Sequence, residues 1–216
     1  MAALYLLLTR NRTSYRNNDQ LARKIGVTPV LSDKRVTPPY NHAMPVSPPQ
    51  PATAVVLTIS DSRTRGDRPD LSGPSVVASL QAAGFAVEGP HLVPDEQPQI
   101  EAALRDHAAH AALVVTTGGT GIALRDVTPE ATRAVCTRIL DGFAERMRAA
   151  GARRTPLAAL SRAVSGTCGR ALIVNLPGSP EGAVTSLEAV IDLIPHALLL
   201  LSGADAHTET PGAPRT

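Results

Sequence analysis

The residues with chemistry to offer lie in short polar runs between apolar segments. The densest run is Thr116 to Gly121, TTGGTG, followed from Arg125 by RDVTPEAT. Glycines at 118, 119 and 121 permit positive φ and close approach of a ligand, leaving backbone amides free to face an anion. The run lacks G-x-G-x-x-G spacing and has no Lys-Ser/Thr end, so neither the dinucleotide nor the P-loop fingerprint applies. A bare Gly-Gly-Thr-Gly equally suits a tight strand-to-helix turn without a ligand, with Thr120 capping it. A second tight run is Pro177-Gly178-Ser179-Pro180, and a third polar run, Asp61-Ser62-Arg63-Thr64, reads either as a solvated turn or as a functional loop. Two carboxylates, Asp95 and Asp126, follow separate candidate strands; Asp126 alone is also an ordinary acidic turn residue ahead of a helix.

These runs need elements to hold them. Leu113–Thr117, LVVTT, is a β-branched apolar run that fits a strand buried on both faces. Thr128-Pro129-Glu130 reads as a helix start with Thr128 as N-cap. Ala54–Ser60, Phe85–Val93, Ser161–Gly166 and Arg170–Leu176 read as further strands. Helical spacing of Val76, Val77 and Leu80, and of Ile100 and Leu104, places amphipathic helices between strands. The helix from Pro129 is expected to carry Val135, Ile139 and Leu140 inward, with a short helix at 143–150 after it. Glu181 to Ser202 reads as one long helix kinked at Pro195. The alternation predicts an α/β fold, a three-layer sandwich with a mostly parallel central sheet and helices on both faces. Ligands dock at the carboxyl ends of such strands, where the glycine run falls.

Other features carry less. His107 and His110 sit three apart on a helix and have the spacing to share a metal, but no third ligand is near in sequence. Arg146, Arg148, Arg153 and Arg154 form a basic cluster that reads first as a solvated face and second as a phosphate-steering patch.

The 216 residues, 43% of them hydrophobic, provide one full core and some surplus. With 21 basic against 19 acidic residues there is no whole-chain nucleic-acid footprint, so the partner is expected to be small. Cys136 and Cys168 form neither a disulfide framework nor a zinc spacing, which implies a reducing cytoplasm. The apolar Ala2–Leu8 lacks a basic leader and a cleavage site and is too short to span a bilayer, so neither export nor a membrane span is expected. Residues 1–52 read as a Pro-rich extension, with six prolines between Pro38 and Pro51, and 204–216 as a disordered tail around the domain 53–203. Met44 as the true start and an interaction arm are competing readings of the extension.

Taken together and in order, LVPDEQ, TTGGTG, RDVTPEAT and LPGSP resemble the molybdopterin-binding family that includes bacterial molybdopterin adenylyltransferase and its close relatives. The resemblance covers roughly residues 54–203 and implies attack by the terminal phosphate oxygen of molybdopterin on the α-phosphorus of MgATP, with pyrophosphate leaving. It implies catalytic and Mg2+-binding roles for Asp95 of the PDEQ motif and Asp126 of the RDVTP motif. It also implies substrate contacts from Ser60, Asp61, Gly118, Gly119, Thr120, Gly121, Ser161, Pro177, Gly178 and Ser179. A homotrimer and handover to a molybdenum insertase follow from the same resemblance, with a non-catalytic pterin-binding protein as the rival reading. Glu181-Gly182, directly after LPGSP, departs from the family pattern and bears on what Ser179 touches.

Overall fold

The computed structural model describes residues 52–203. The Pro-rich extension, the question of Met44 and the C-terminal tail lie outside them. Six strands, β1 (Thr53–Ile59), β2 (Ala86–Val93), β3 (Leu113–Thr117), β4 (Arg138–Ile139), β5 (Ser165–Cys168) and β6 (Ala171–Leu176), form one sheet in the order 2-1-3-6-5-4. The first four positions are parallel; β5 and β4 add an antiparallel margin. The helices are α1 (Asp61–Thr64), α2 (Ser72–Ala82), α3 (Gln97–Ala108), α4 (Thr128–Val135), α5 (Asp141–Ala152), α6 (Pro180–Glu188) and α7 (Ile194–Ser202), with a 3-10 turn at Pro156–Leu160.

Alternation along the strands divides the core in two. Val56, Val115, Leu172 and Val174 face a layer containing Val76 and Leu80 of α2, Met147 of α5, Leu187 of α6 and Ile194 of α7. Val55, Leu57, Val114 and Ile173 face Ile100 and Leu104 of α3 and Ala131 and Val135 of α4. Period-two side chains on a sheet covered on both faces give the expected three layers.

Three sequence expectations are corrected. The helix from Thr128 ends at Val135, and Arg138–Ile139 pair with Gly166 and Thr167 as β4, so Ile139 and Leu140 are not on that helix. Ser161–Val164 are irregular, with β5 beginning at Ser165. The long C-terminal helix is two, and Pro195 lies in the first turn of α7, where its missing N–H costs no helical bond, instead of kinking a continuous helix.

Candidate active site

Parallel pairing brings the carboxyl ends of β2, β1, β3 and β6 to one edge, and with them Asp95, Asp61, Gly118–Gly121 and Pro177–Ser179. β1 leads into α2 on one face and β3 into α4 on the other, so the crevice between them is the topological switch point of the sheet.

The glycine run is dictated by crowding. Gly118 has φ +105°, and a Cβ there would lie 2.3 Å from the Ile59 carbonyl oxygen. Gly119 has φ +60°, and its Cβ would lie 2.3 Å from Thr128 Oγ1. That hydroxyl donates to the Gly118 carbonyl at 3.0 Å while the Thr128 amide donates to Gly119 O at 3.1 Å. Thr128 therefore closes the glycine turn; the cap position of α4 is Val127. The second loop is seated on the first: Thr117 Oγ1 donates to Pro177 O at 2.7 Å, and a Cβ on Gly178 would come within 3.2 Å of Gly118 Cα.

Arg162 holds the far side. Its Nε donates to Gly121 O at 2.6 Å, Nη2 donates to the Asp126 carbonyl, Nη1 donates to the Glu130 carboxylate, and its backbone amide donates to Thr120 O at 2.9 Å. Burial pushes the Glu130 carboxyl up, but the Arg162 hydrogen bond, a backbone hydrogen bond and the charges of Arg162 and Arg133 together hold it below its usual range. One guanidinium thus ties both ends of the loop from Thr120 to Asp126 to the first turns of α4.

Beside this loop opens a cleft of about 830 Å³ lined by Gly119, Thr120, Gly121, Asp126, Ser161, Pro177, Gly178 and Ser179. That volume suits a ligand the size of a nucleotide or a pterin. Arg148, Arg154, Leu157 and Thr155 also line the cleft. Ser179 is the N-cap of α6, accepting from Gly182 N–H at 3.3 Å, and a Cβ on Gly182 would lie 2.6 Å from Ser179 Oγ. Glu181-Gly182 is thus accommodated by the cap, and the amino end of α6 borders the cleft with Pro180, Glu181 and Gly182.

The remaining site candidates sit differently. Gly118 is buried and lines neither the cleft nor the neighbouring hollow. Ser60 caps α1 through Arg63 N–H at 3.4 Å and lines neither the cleft nor the neighbouring hollow. Asp61 and Asp95 line that second hollow together with Ala123, Leu124 and Arg125, whose guanidinium lies 3.4 Å from Asp61 Oδ2. The loop from Gly119 to Asp126 therefore runs between the two carboxylates. A Cβ on Gly119 would be 3.3 Å from Asp95 Oδ1, and one on Gly121 would be 2.8 Å from Asp126 Oδ2. Asp95 Oδ2 accepts from Asp61 N–H and Asp126 Oδ2 from Ala123 N–H, both at 2.8 Å; among the described residues no hydrogen bond reaches Oδ1 of either. Burial first, then the charges of Asp61 and Asp126, push the Asp95 carboxyl above its usual range, against the Asp61 amide and Arg125, which lower it.

A family described as "Probable molybdopterin binding domain" matches residues 55–196. The chain belongs to that family. It is 43% identical over 155 residues to the molybdopterin adenylyltransferase of Helicobacter pylori J99, covering 68% of this chain and 86% of that one. It is 38% identical over 172 residues to the molybdopterin adenylyltransferase of Escherichia coli K12, covering 71% and 87%. The crystal structure of the molybdopterin biosynthesis enzyme MoaB from Thermus thermophilus superposes with a TM-score of 0.67 at 49% identity, over 70% of this chain and 97% of that one. Among the described residues no helix is long and apolar enough to cross a membrane.

Within this family fold, local sequence pattern did not mark Arg162 and Glu130 as the supports of the glycine loop, whereas Arg148 and Arg154, expected first on a solvated face and second in a phosphate-steering patch, line the cleft. Arg162 was hidden inside an apparent strand pattern, Ser161–Gly166, and its acceptors lie 32 to 41 positions away. The basic cluster is mixed: Arg146 pairs with Asp192 at 2.8 Å and Arg154 with Glu181 at 3.5 Å, while Arg148 reaches Ala163 O at 3.4 Å from the cleft side.

Proposed function

We propose that this chain is a molybdopterin adenylyltransferase, joining the terminal phosphate of molybdopterin to the AMP of MgATP with release of pyrophosphate. The observation that carries the reading is the meeting of the glycine loop, the amino end of α6 and Asp126 on one cleft at the sheet's switch point. Amides of Gly119 to Gly121 and the hydroxyls of Thr120 and Ser179 are donors for the pterin phosphate, and Ser161, Pro177 and Gly178 complete its seat. Arg148, and Arg154 beside Glu181, bring positive charge to the same cleft, where two phosphorylated substrates would otherwise repel one another.

The donor types suit a magnesium ion, with the two carboxylates on either side of the glycine loop and opening on adjoining hollows. The donors are carboxylate oxygens only, Oδ1 of Asp95 and of Asp126 lacks a protein partner among the described residues, and negative charge is in surplus around Asp95. Asp95 and Asp126 are assigned to hold Mg2+ delivered with ATP, and Asp61 positions Asp95. The ion, when bound, offsets phosphate charge and steadies the leaving pyrophosphate. The protein acts by alignment and charge, with no covalent nucleophile. A cytoplasmic homotrimer that hands its product to a molybdenum insertase completes the proposal, on the strength of the family resemblance.

Asp95 opens on the hollow beside the cleft, and that placement favours one rival, a protein that binds molybdopterin without adenylylating it. Pyrophosphate release from the full chain separates the two. Release that requires molybdopterin, ATP and Mg2+ together supports the transferase; saturable pterin binding with no release identifies the rival.

A further inference from the structure

Away from the cleft, three of the chain's six histidines gather between β2 and α3. Their meeting has a structural cause. In the pairing of β2 with β1, Glu88 is opposite Val55 and His91 opposite Leu57, so three steps on β2 match two on β1. The extra residue at this bulge puts Glu88 and His91 on the same face as Val55 and Leu57, the face covered by α3. On α3, His107 continues the stripe of Ile100 and Leu104, which is buried against that face. His110 follows just past the helix end.

The result is a compact donor set. One ligand atom each of Glu88, His107 and His110 lies within 4.8 Å of the others. His91 Nε2 and Glu88 Oε1 are 3.0 Å apart, which leaves Oε2 turned toward His110 Nε2 at 4.0 Å. The rings of His91 and His107 stack at 5.0 Å between centroids. His107 Nδ1 is shielded from solvent and has no hydrogen-bond partner among the described residues.

We propose that Glu88, His107 and His110 bind a divalent cation of the zinc class, with His91 orienting the Glu88 carboxylate. Two imidazoles and one carboxylate are the donors such borderline cations prefer, and they discriminate against Mg2+, which takes oxygen ligands. Zinc bonds of about 2.0–2.2 Å need the three atoms to close by roughly 1.5 Å, within side-chain rotation for exposed Glu88 and His110. With three protein ligands the fourth position is left for water or another donor. The ion would clip the outermost strand to the far end of α3, the two elements joined by the segment that carries Asp95. Its role is therefore support of that segment, separate from the magnesium chemistry of the cleft.

The test is a zinc titration of the full chain, stripped of metal by a chelator and then competed against a chromophoric chelator in excess Mg2+. The account predicts one saturable zinc per chain, weakened about tenfold or more in Glu88→Gln, His107→Gln and His110→Gln, and about tenfold in His91→Ala. Asp95→Asn with Asp126→Asn should leave zinc affinity unchanged, which separates this site from the cleft. Far-ultraviolet circular dichroism of the metal-free variants, matching wild type, shows that loss of zinc is not loss of fold. Absence of saturable uptake by wild type, or uptake that the Glu88 and His107 substitutions leave intact, would overturn the proposal.

Discussion

Asp61 and Asp95 hold each other: the carboxylate of each accepts a hydrogen bond from the other's backbone amide, at 2.8 and 2.9 Å. The two residues end neighbouring parallel strands, so this exchange fixes the relative height of the loops after β1 and β2. Asp61→Ala removes one carboxylate and leaves the Asp95 amide unpaired. A loss of about 2 kcal/mol in urea unfolding is expected, as for a charge-assisted hydrogen bond, together with slower turnover from a loosened Asp95. Unchanged unfolding would mean that the clamp is unimportant in solution.

Asp95→Asn and Asp126→Asn keep the size of each side chain and one acceptor oxygen. Each is expected to slow pyrophosphate release by about a hundredfold or more while pterin affinity stays near wild type. Fluorescence titration with the pterin, run beside the turnover assay, makes that distinction. Equal loss of binding and turnover would place the carboxylates in the pterin seat instead.

Arg162→Lys retains charge but not the fork that reaches Gly121, Asp126 and Glu130 together, so turnover should fall at least tenfold with the fold preserved. The same pair governs a pH effect. The Glu130 carboxyl lies below its ordinary 4.5: burial is the largest single influence and raises it, but the Arg162 hydrogen bond, a backbone hydrogen bond and the charges of Arg162 and Arg133 together lower it further. The unfolded chain then takes up the proton first, so the stabilisation is full above about pH 4.5 and is lost as pH falls through the depressed value. Thermal melts between neutral and acid pH should show this loss in wild type and a flatter profile in Arg162→Ala.

Gly118→Ala sets a Cβ 2.3 Å from the Ile59 carbonyl in a backbone held at φ +105°. A destabilisation of roughly 3 kcal/mol is expected from strain and clash together, read as a drop of about 10 °C in melting temperature. Gly142→Ala is the control, since a Cβ there meets nothing within 4 Å.

What the sequence disclosed followed from local pattern. LVVTT is buried on both faces as β3, and the glycines after it adopt the positive φ their type allows. Thr128 was legible as the start of a helix, but its hydroxyl serves Gly118 O, a partner that only the folded loop supplies. Ile139 matched the helical period yet pairs with Gly166 across the sheet margin, because strand pairing outweighs local periodicity in so short a segment. Arg162 and the third donor beside His107 and His110 were invisible for one reason: each contact closes over many residues, and the β2 bulge that turns Glu88 leaves no mark in spacing. Gly119 and Gly121 lie between the carboxylates of Asp95 and Asp126, which open on different hollows, an arrangement that spacing alone could not specify.

The central claim is that the glycine loop, the amino end of α6 and the two carboxylates act on one nucleotide–pterin pair. A Mn2+–nucleotide soak of crystals, read by anomalous scattering, tests it most directly. The account predicts a metal peak near Asp126 and Asp95, about 2.2 Å from a carboxylate oxygen bound directly or about 4 Å from one held through a metal-bound water, with phosphates against Gly119 to Gly121. Nucleotide phosphates bound elsewhere, with no metal near either aspartate, would contradict it.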